Sequence, residues 1–152
     1  MNHIFSKLNF KGEKRILVLN PPESFRPNLA EMLSLTSIDE EIADGQVYEF
    51  VCVFVEKADQ IKKFAQRLKD SFIGDATVWF AYPKKSSKLY KSDITRDYGW
   101  QPLGDLGYEP VRQIAIDDDW SALRFRNVEY IKKFERDSKM ALSEGGKKRL
   151  KK

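Results

Sequence analysis

Residues 77–88 read TVWFAYPKKSSK, and residues 112–126 read RQIAIDDDWSALRFR. The first stretch is an apolar strand that runs into Pro-Lys-Lys-Ser-Ser. The second is a strand, an acidic turn and a returning strand. Along residues 120–126, Ser121, Leu123 and Phe125 fall on one side and Arg124 and Arg126 on the other, so one face can be buried and the other wet.

Outward from these stretches, the chain alternates strands with helices. Residues 15–19, RILVL, form a short aliphatic run that stops at Asn20-Pro21-Pro22, because proline cannot donate to a sheet ladder. A helix is predicted after Glu23, with Pro27 in its first turn. Residues 34–46 hold either a short strand or a polar loop. Residues 48–55, YEFVCVFV, form a second strand. Over residues 57–72, Ala58, Ile61, Phe64, Ala65, Leu68 and Phe72 share one stripe, which predicts an amphipathic helix ended at Gly74. A further helix capped by Ser92 or Asp93 is predicted, interrupted by Gly99, Pro102 and Gly104. A last helix is expected over residues 128–142. This alternation predicts an α/β fold: three Rossmann-like layers, a mostly parallel sheet, a C-terminal antiparallel hairpin and a final helix. The same order of elements, closing on a hairpin, occurs in the Rossmann-like methyltransferases.

The chain of 152 residues, 41% hydrophobic, is expected to form one domain, residues 1–143, followed by a basic tail, residues 144–152. The formal charge of +4 comes from that tail, EGGKKRLKK. Without its five Lys/Arg and one Glu, 22 basic and 22 acidic residues remain. A neutral body gives no reason to expect a nucleic-acid-binding domain; the tail alone would attract polyanions weakly. No run approaches the roughly 20 apolar residues of a membrane span, and the first residues lack a signal-peptide core. The single cysteine, Cys52, lies in an apolar strand and reads as a small buried hydrophobe. A cytoplasmic location is expected.

In open α/β sheets, ligands bind beyond the carboxyl ends of the strands. The first such loop, NPPESFRP, is not the GxGxxG that lets backbone amides approach a dinucleotide, and no Walker A sequence occurs. Neither kind of cofactor site is expected, and no cofactor is assigned. Asn20-Pro21-Pro22 resembles the Asn-Pro-Pro-Tyr type motif of amino-methyltransferases without its Tyr, or is a turn that ends a strand. Lys84, Lys85, Ser86 and Ser87, with a helix N-terminus near Asp93, form a candidate anion site, or a solvated lysine-rich loop. Asp93, Arg96 and Asp97 offer carboxylates beside a guanidinium, which acid/base work or capping and ion pairing would use. Asp117, Asp118 and Asp119 make an acidic turn without EF-hand spacing, and no metal site is expected. Trp120, Arg124 and Arg126 could stack a ring or lie under the last helix. His3, the only histidine, falls in a terminus expected to be mobile.

These residues carry a resemblance. Lys7-Leu8, ILVLNPP at 16–22, VFV at 53–55, WFAYPKKSS at 79–87, SDITR at 92–96 and AIDDDWSALRF at 115–125 resemble the motif series of the bacterial family DUF3052, a domain of unknown function. The similarity covers roughly residues 7–126. It implies a small α/β domain like a trimmed methyltransferase without the cofactor loop, and it supplies no reaction. It points to Lys84, Lys85, Ser87, Asp93, Asp117, Trp120 and Ser121 as site candidates. The expectation is a non-catalytic binding module for an anionic small molecule or a protein partner. The alternative is a divergent S-adenosylmethionine-dependent methyltransferase-like or phosphate-handling enzyme.

Overall fold

The aliphatic run Arg15–Leu19 (β1) lies inside a six-stranded sheet, between Ser37–Asp39 (β2) and Tyr48–Phe54 (β3). Phe72–Pro83 (β4) follows β3, and the hairpin of Tyr108–Ala115 (β5) and Trp120–Asn127 (β6) completes the order β2-β1-β3-β4-β6-β5. The first four neighbours are parallel, and β6 runs antiparallel to both β4 and β5. This computed structural model describes residues 2–131.

Helices cover both faces, which is why β1 and β3 read as nearly unbroken apolar runs. His3–Lys7 (α1) and Arg26–Met32 (α2) bury Phe5, Leu29 and Met32 against Ile16, Val18, Phe50, Cys52, Trp79 and Ala122. Ala58–Leu68 (α3) and Gln101–Gly104 (α4) bury Ile61, Phe64, Leu68 and Leu103 against Leu17, Val51, Val78, Phe80, Leu123 and Phe125. Adjacent residues Trp79 and Phe80 thus enter opposite layers, and each is 0% exposed. Ser121, Leu123 and Phe125 point away from Arg124 and Arg126 as the alternation predicts, with the first three buried and the two arginines half-buried. Cys52 is enclosed, and burial pushes its thiol up to about 12.

Several segments depart from the sequence reading. The N-terminus is docked: Asn2 accepts from the Phe5 amide at 3.0 Å to cap α1, and Phe5 and Leu8 are fully buried. Residues 34–46 contain β2. The helix expected over 57–72 stops at Leu68, because Phe72 joins the sheet opposite Tyr48 and stacks on Tyr108 at 5.1 Å. Gly74, at φ 58°, therefore bends the start of β4 and caps no helix. No helix begins at Ser92. The Ser92 and Thr95 hydroxyls accept from the amides of Ile94 and Asp97, and Gly99 takes φ 107°. Such local bonds compete with helical ones. Only α4 is helical there.

Val128–Tyr130 is a 3-10 turn capped by the Asn127 side chain. Ile131 is already extended, and residues 132–142 of the expected final helix, with the basic tail, lie outside the described residues. Among the described residues, no helix is long and apolar enough to cross a membrane.

Candidate functional site

The carboxyl ends of β4 and β5 flank the start of β6, and a cleft of about 540 Å3 opens there. β4 ends at Pro83 because proline has no amide to extend the ladder. The Lys84 amide then donates to the Asp119 carbonyl at 2.8 Å, and the Ser87 amide to the Lys84 carbonyl at 3.0 Å. This turn projects Lys85 and Ser86 into solvent at the rim.

The facing wall is a second tight turn. Thr95 and Tyr98 bridge each other, and the buried Trp100 indole donates to the Thr95 carbonyl at 2.8 Å. Gly99 lies against the first turn of α3: a Cβ there would come within 3.3 Å of Ile61 and 3.4 Å of Ala58. Arg96 and Asp97 ride on this turn and line the cleft with Lys84, Lys85 and Ser86. Arg96 stands 3.9 Å from Asp97, a loose and exposed pair. Among the described residues, Lys84 and Lys85 form no ion pair.

The floor comes from the sheet. Tyr82 lies opposite Ser121 in the β4–β6 register, and its hydroxyl accepts from the Gln113 side chain at 3.1 Å. Burial raises the Tyr82 phenol above its ordinary value, with Arg96 opposing the rise and Asp97 adding to it. A protonated phenol therefore faces two lysines and an arginine. These groups can neutralise and hydrogen-bond an anion.

Of the residues singled out in the sequence, the structure brings Lys84, Lys85, Ser86, Arg96, Asp97 and Ser121 to one cleft. It sets Ser87, Asp93, Asp117 and Trp120 outside it. Ser87 donates to Asp119 Oδ1 at 2.8 Å and accepts from the amides of Leu89 and Tyr90. Asp93 accepts from the Ala58 amide at 2.9 Å, capping α3 in place of the missing helix of its own. Trp120 is 2% exposed, with its ring 5.2 Å from Phe54 and 5.0 Å from Tyr90. Asp117 caps the hairpin turn by accepting from the amides of Asp119 and Trp120. Tyr82 and Gln113 have no signal in the sequence, since their convergence with Ser121 depends on strand register.

The strand order reverses between β1 and β3, the point where ligands enter many open α/β sheets. There Asn20 adopts φ 55°, Pro21 and Pro22 remove two amide donors, and the 3-10 turn Glu23–Phe25 drives Phe25 inward to 4.9 Å from Phe54. The carboxylates at the end of β2 are engaged within the chain: Asp39 with Arg15 at 2.8 Å and with the Tyr48 hydroxyl, Glu40 with Arg26 at 2.8 Å.

No family model and no curated protein matches the sequence. Solved structures do match the fold. A SAM-dependent methyltransferase from Aquifex aeolicus superposes with a TM-score of 0.52 at 11% identity, over 82% of this chain and 88% of that one. The N-methyltransferase NodS from Bradyrhizobium japonicum gives 0.51 at 10%, over 82% and 92%. Magnesium protoporphyrin IX methyltransferase from Synechocystis, with bound SAM, gives 0.52 at 10%, over 82% and 74%. The chain has a Rossmann-like, methyltransferase-like α/β fold.

Proposed function

We propose that this protein is a non-catalytic binding module that holds an anionic small molecule in the cleft between the 84–87 and 95–98 turns. The observation that carries the reading is the convergence of Lys84, Lys85 and Arg96 on one cleft at the carboxyl ends of β4 and β5, with Asp97 the one carboxylate among the described residues that line it. Ser86, Ser121, Gln113 and the Tyr82 phenol supply neutral polar groups around the charge. Membership of DUF3052 belongs to the same reading and rests on the motif residues given above.

The second reading is a divergent methyltransferase, favoured by the fold of the structural neighbours. The end of β1 does not fit S-adenosylmethionine: two prolines stand where backbone amides would approach it. No catalytic step is derived from it.

Calorimetric titration of the full chain with adenosine monophosphate, sulfate and S-adenosylmethionine separates the two. The module should bind one of the first two, and the Lys84→Ala/Lys85→Ala variant should lose that binding by roughly tenfold or more. Binding of S-adenosylmethionine, unaffected by that variant, would replace the first reading with the second. Silence from all three probes would overturn the small-molecule reading in favour of a protein partner.

A further inference from the structure

A second cleft, of about 750 Å3, lies at the other end of the sheet, among the amino ends of β1 and β3, the start of β4, the end of β6 and residues 9–14. Arg124 forms part of its wall. In the sheet it lies opposite Trp79 of β4 and Arg112 of β5. It is half-buried, and its Nε is enclosed with no hydrogen-bond acceptor among the described residues.

The surrounding charges leave Arg124 in surplus. Arg126, two residues on, takes the nearby Asp75 carboxylate with both ends of its fork: Nε lies 3.0 and 3.1 Å from the two oxygens, and Nη2 lies 2.6 Å from one. Arg15 is paired with Asp39. Lys11 and Lys14 on the wall are matched in number by Glu13 and Glu49. Desolvation, then Arg126 and Arg112, push the Arg124 guanidinium downward, with Asp75 opposing. A guanidinium does not give up its proton in this setting. A half-buried cation beside two like charges, with an enclosed Nε that has no acceptor among the described residues, is stabilised when an anion joins it. The cleft admits one from solution.

We infer that this cleft binds a phosphate group, free or carried on a small molecule, with Arg124 as its principal ligand and Lys11 and Lys14 around it. A planar guanidinium on the cleft wall suits the paired oxygens of phosphate. A surplus of one positive charge suits one compact anion and gives no track for a polyanion. The site is independent of the cleft proposed above, which lies at the opposite ends of the same strands.

The test is titration of the full chain with inorganic phosphate and with a sugar phosphate, at ionic strength held constant with chloride. Saturable one-to-one binding is expected. It should weaken by roughly tenfold or more in Arg124→Gln and persist in Lys84→Ala/Lys85→Ala. The arginine Nε–H resonances of the unaltered chain give a readout independent of whether Arg124→Gln folds: the Arg124 signal should move as phosphate is added. Tighter binding of the sugar phosphate than of phosphate would identify the carried form. The inference is overturned by absence of saturable binding, by a stationary Arg124 signal, or by binding lost with the lysines alone. An oligonucleotide that binds more tightly than phosphate and depends on Arg124 would overturn the compact-ligand assignment.

Discussion

The Ser87 hydroxyl donates to Asp119 Oδ1 at 2.8 Å, and so ties the loop after β4 to the turn between β5 and β6. The same oxygen of Ser87 accepts from the amides of Leu89 and Tyr90, both at 3.2 Å. One side chain thus organises the turn that carries Lys84 and Lys85. Ser87→Ala should cost about 1–2 kcal/mol of stability and speed amide exchange at Leu89 and Tyr90 well above that of β4. Unchanged exchange at those two amides would show that the turn is held by other means.

Asp93 tests whether a residue marked by its motif acts in capping or in binding. It accepts from the Ala58 amide, one of the first amides of α3, which have no partner within the helix. Asp93→Ala should destabilise the protein by about 1 kcal/mol and leave anion affinity at the Lys84 cleft within about twofold, since a tenfold change corresponds to about 1.4 kcal/mol. Asp93→Asn should recover most of the stability. A large loss of affinity in a variant of normal stability would place Asp93 in the binding site after all.

The first ten residues belong to the core. The Phe5 ring lies 5.8 Å from Phe25, 6.0 Å from Phe50 and 6.3 Å from Phe10. Trp79 donates its indole hydrogen to the Leu8 carbonyl at 2.8 Å beneath them. Phe5→Ala should cost about 3–5 kcal/mol in urea unfolding, a large part of the stability of a domain this size. A loss below about 1 kcal/mol would mean that α1 is not docked in solution.

Alkali should weaken the fold before acid chemistry matters to these groups. Burial pushes the Cys52 thiol from 9.0 up to about 12. Burial also pushes the Tyr108 phenol from 10.0 up to about 12, against the lowering effect of its hydrogen bond with Asn127. Above pH 9 the unfolded chain releases protons that the folded chain keeps. Their contribution is therefore complete below about pH 9 and is lost as pH rises toward 12. The decline should be roughly 1 kcal/mol per pH unit for each group. Urea midpoints measured from pH 8 to 11 check this, and Cys52→Ala should delay the fall by about one unit. Rapid labelling of native Cys52 by a thiol reagent at pH 8 would contradict its enclosure.

The strands were legible because their signals are local. Residues 16–19 and 50–55 are apolar throughout since both faces are covered, and 120–126 alternates in a way that fits the burial of Ser121, Leu123 and Phe125. α1 was not legible, because five residues are too few for a helical period to show. Phe72 looked helical because it continues the stripe from Ile61; its pairing with Tyr48 is a long-range choice that no local window contains. Half of the cleft was readable as a lysine-rich loop after a strand. Gln113, Tyr82 and Ser121 join it through strand register, which spacing along the chain does not reveal.

Strand β6 supplies Ser121 to one cleft and Arg124 and Arg126 to the other. Ser121 is about 10 Å from Arg124 and about 17 Å from Arg126 at the usual rise of a strand. Side chains alternate with a period of two, so loss or gain of a single residue here would swap faces. Arg124 would enter the layer packed by α3, and Leu123 would turn toward water. Each cleft would lose its arginine or serine in the same event. Point substitutions along β6 are local matters. A change of its length is not.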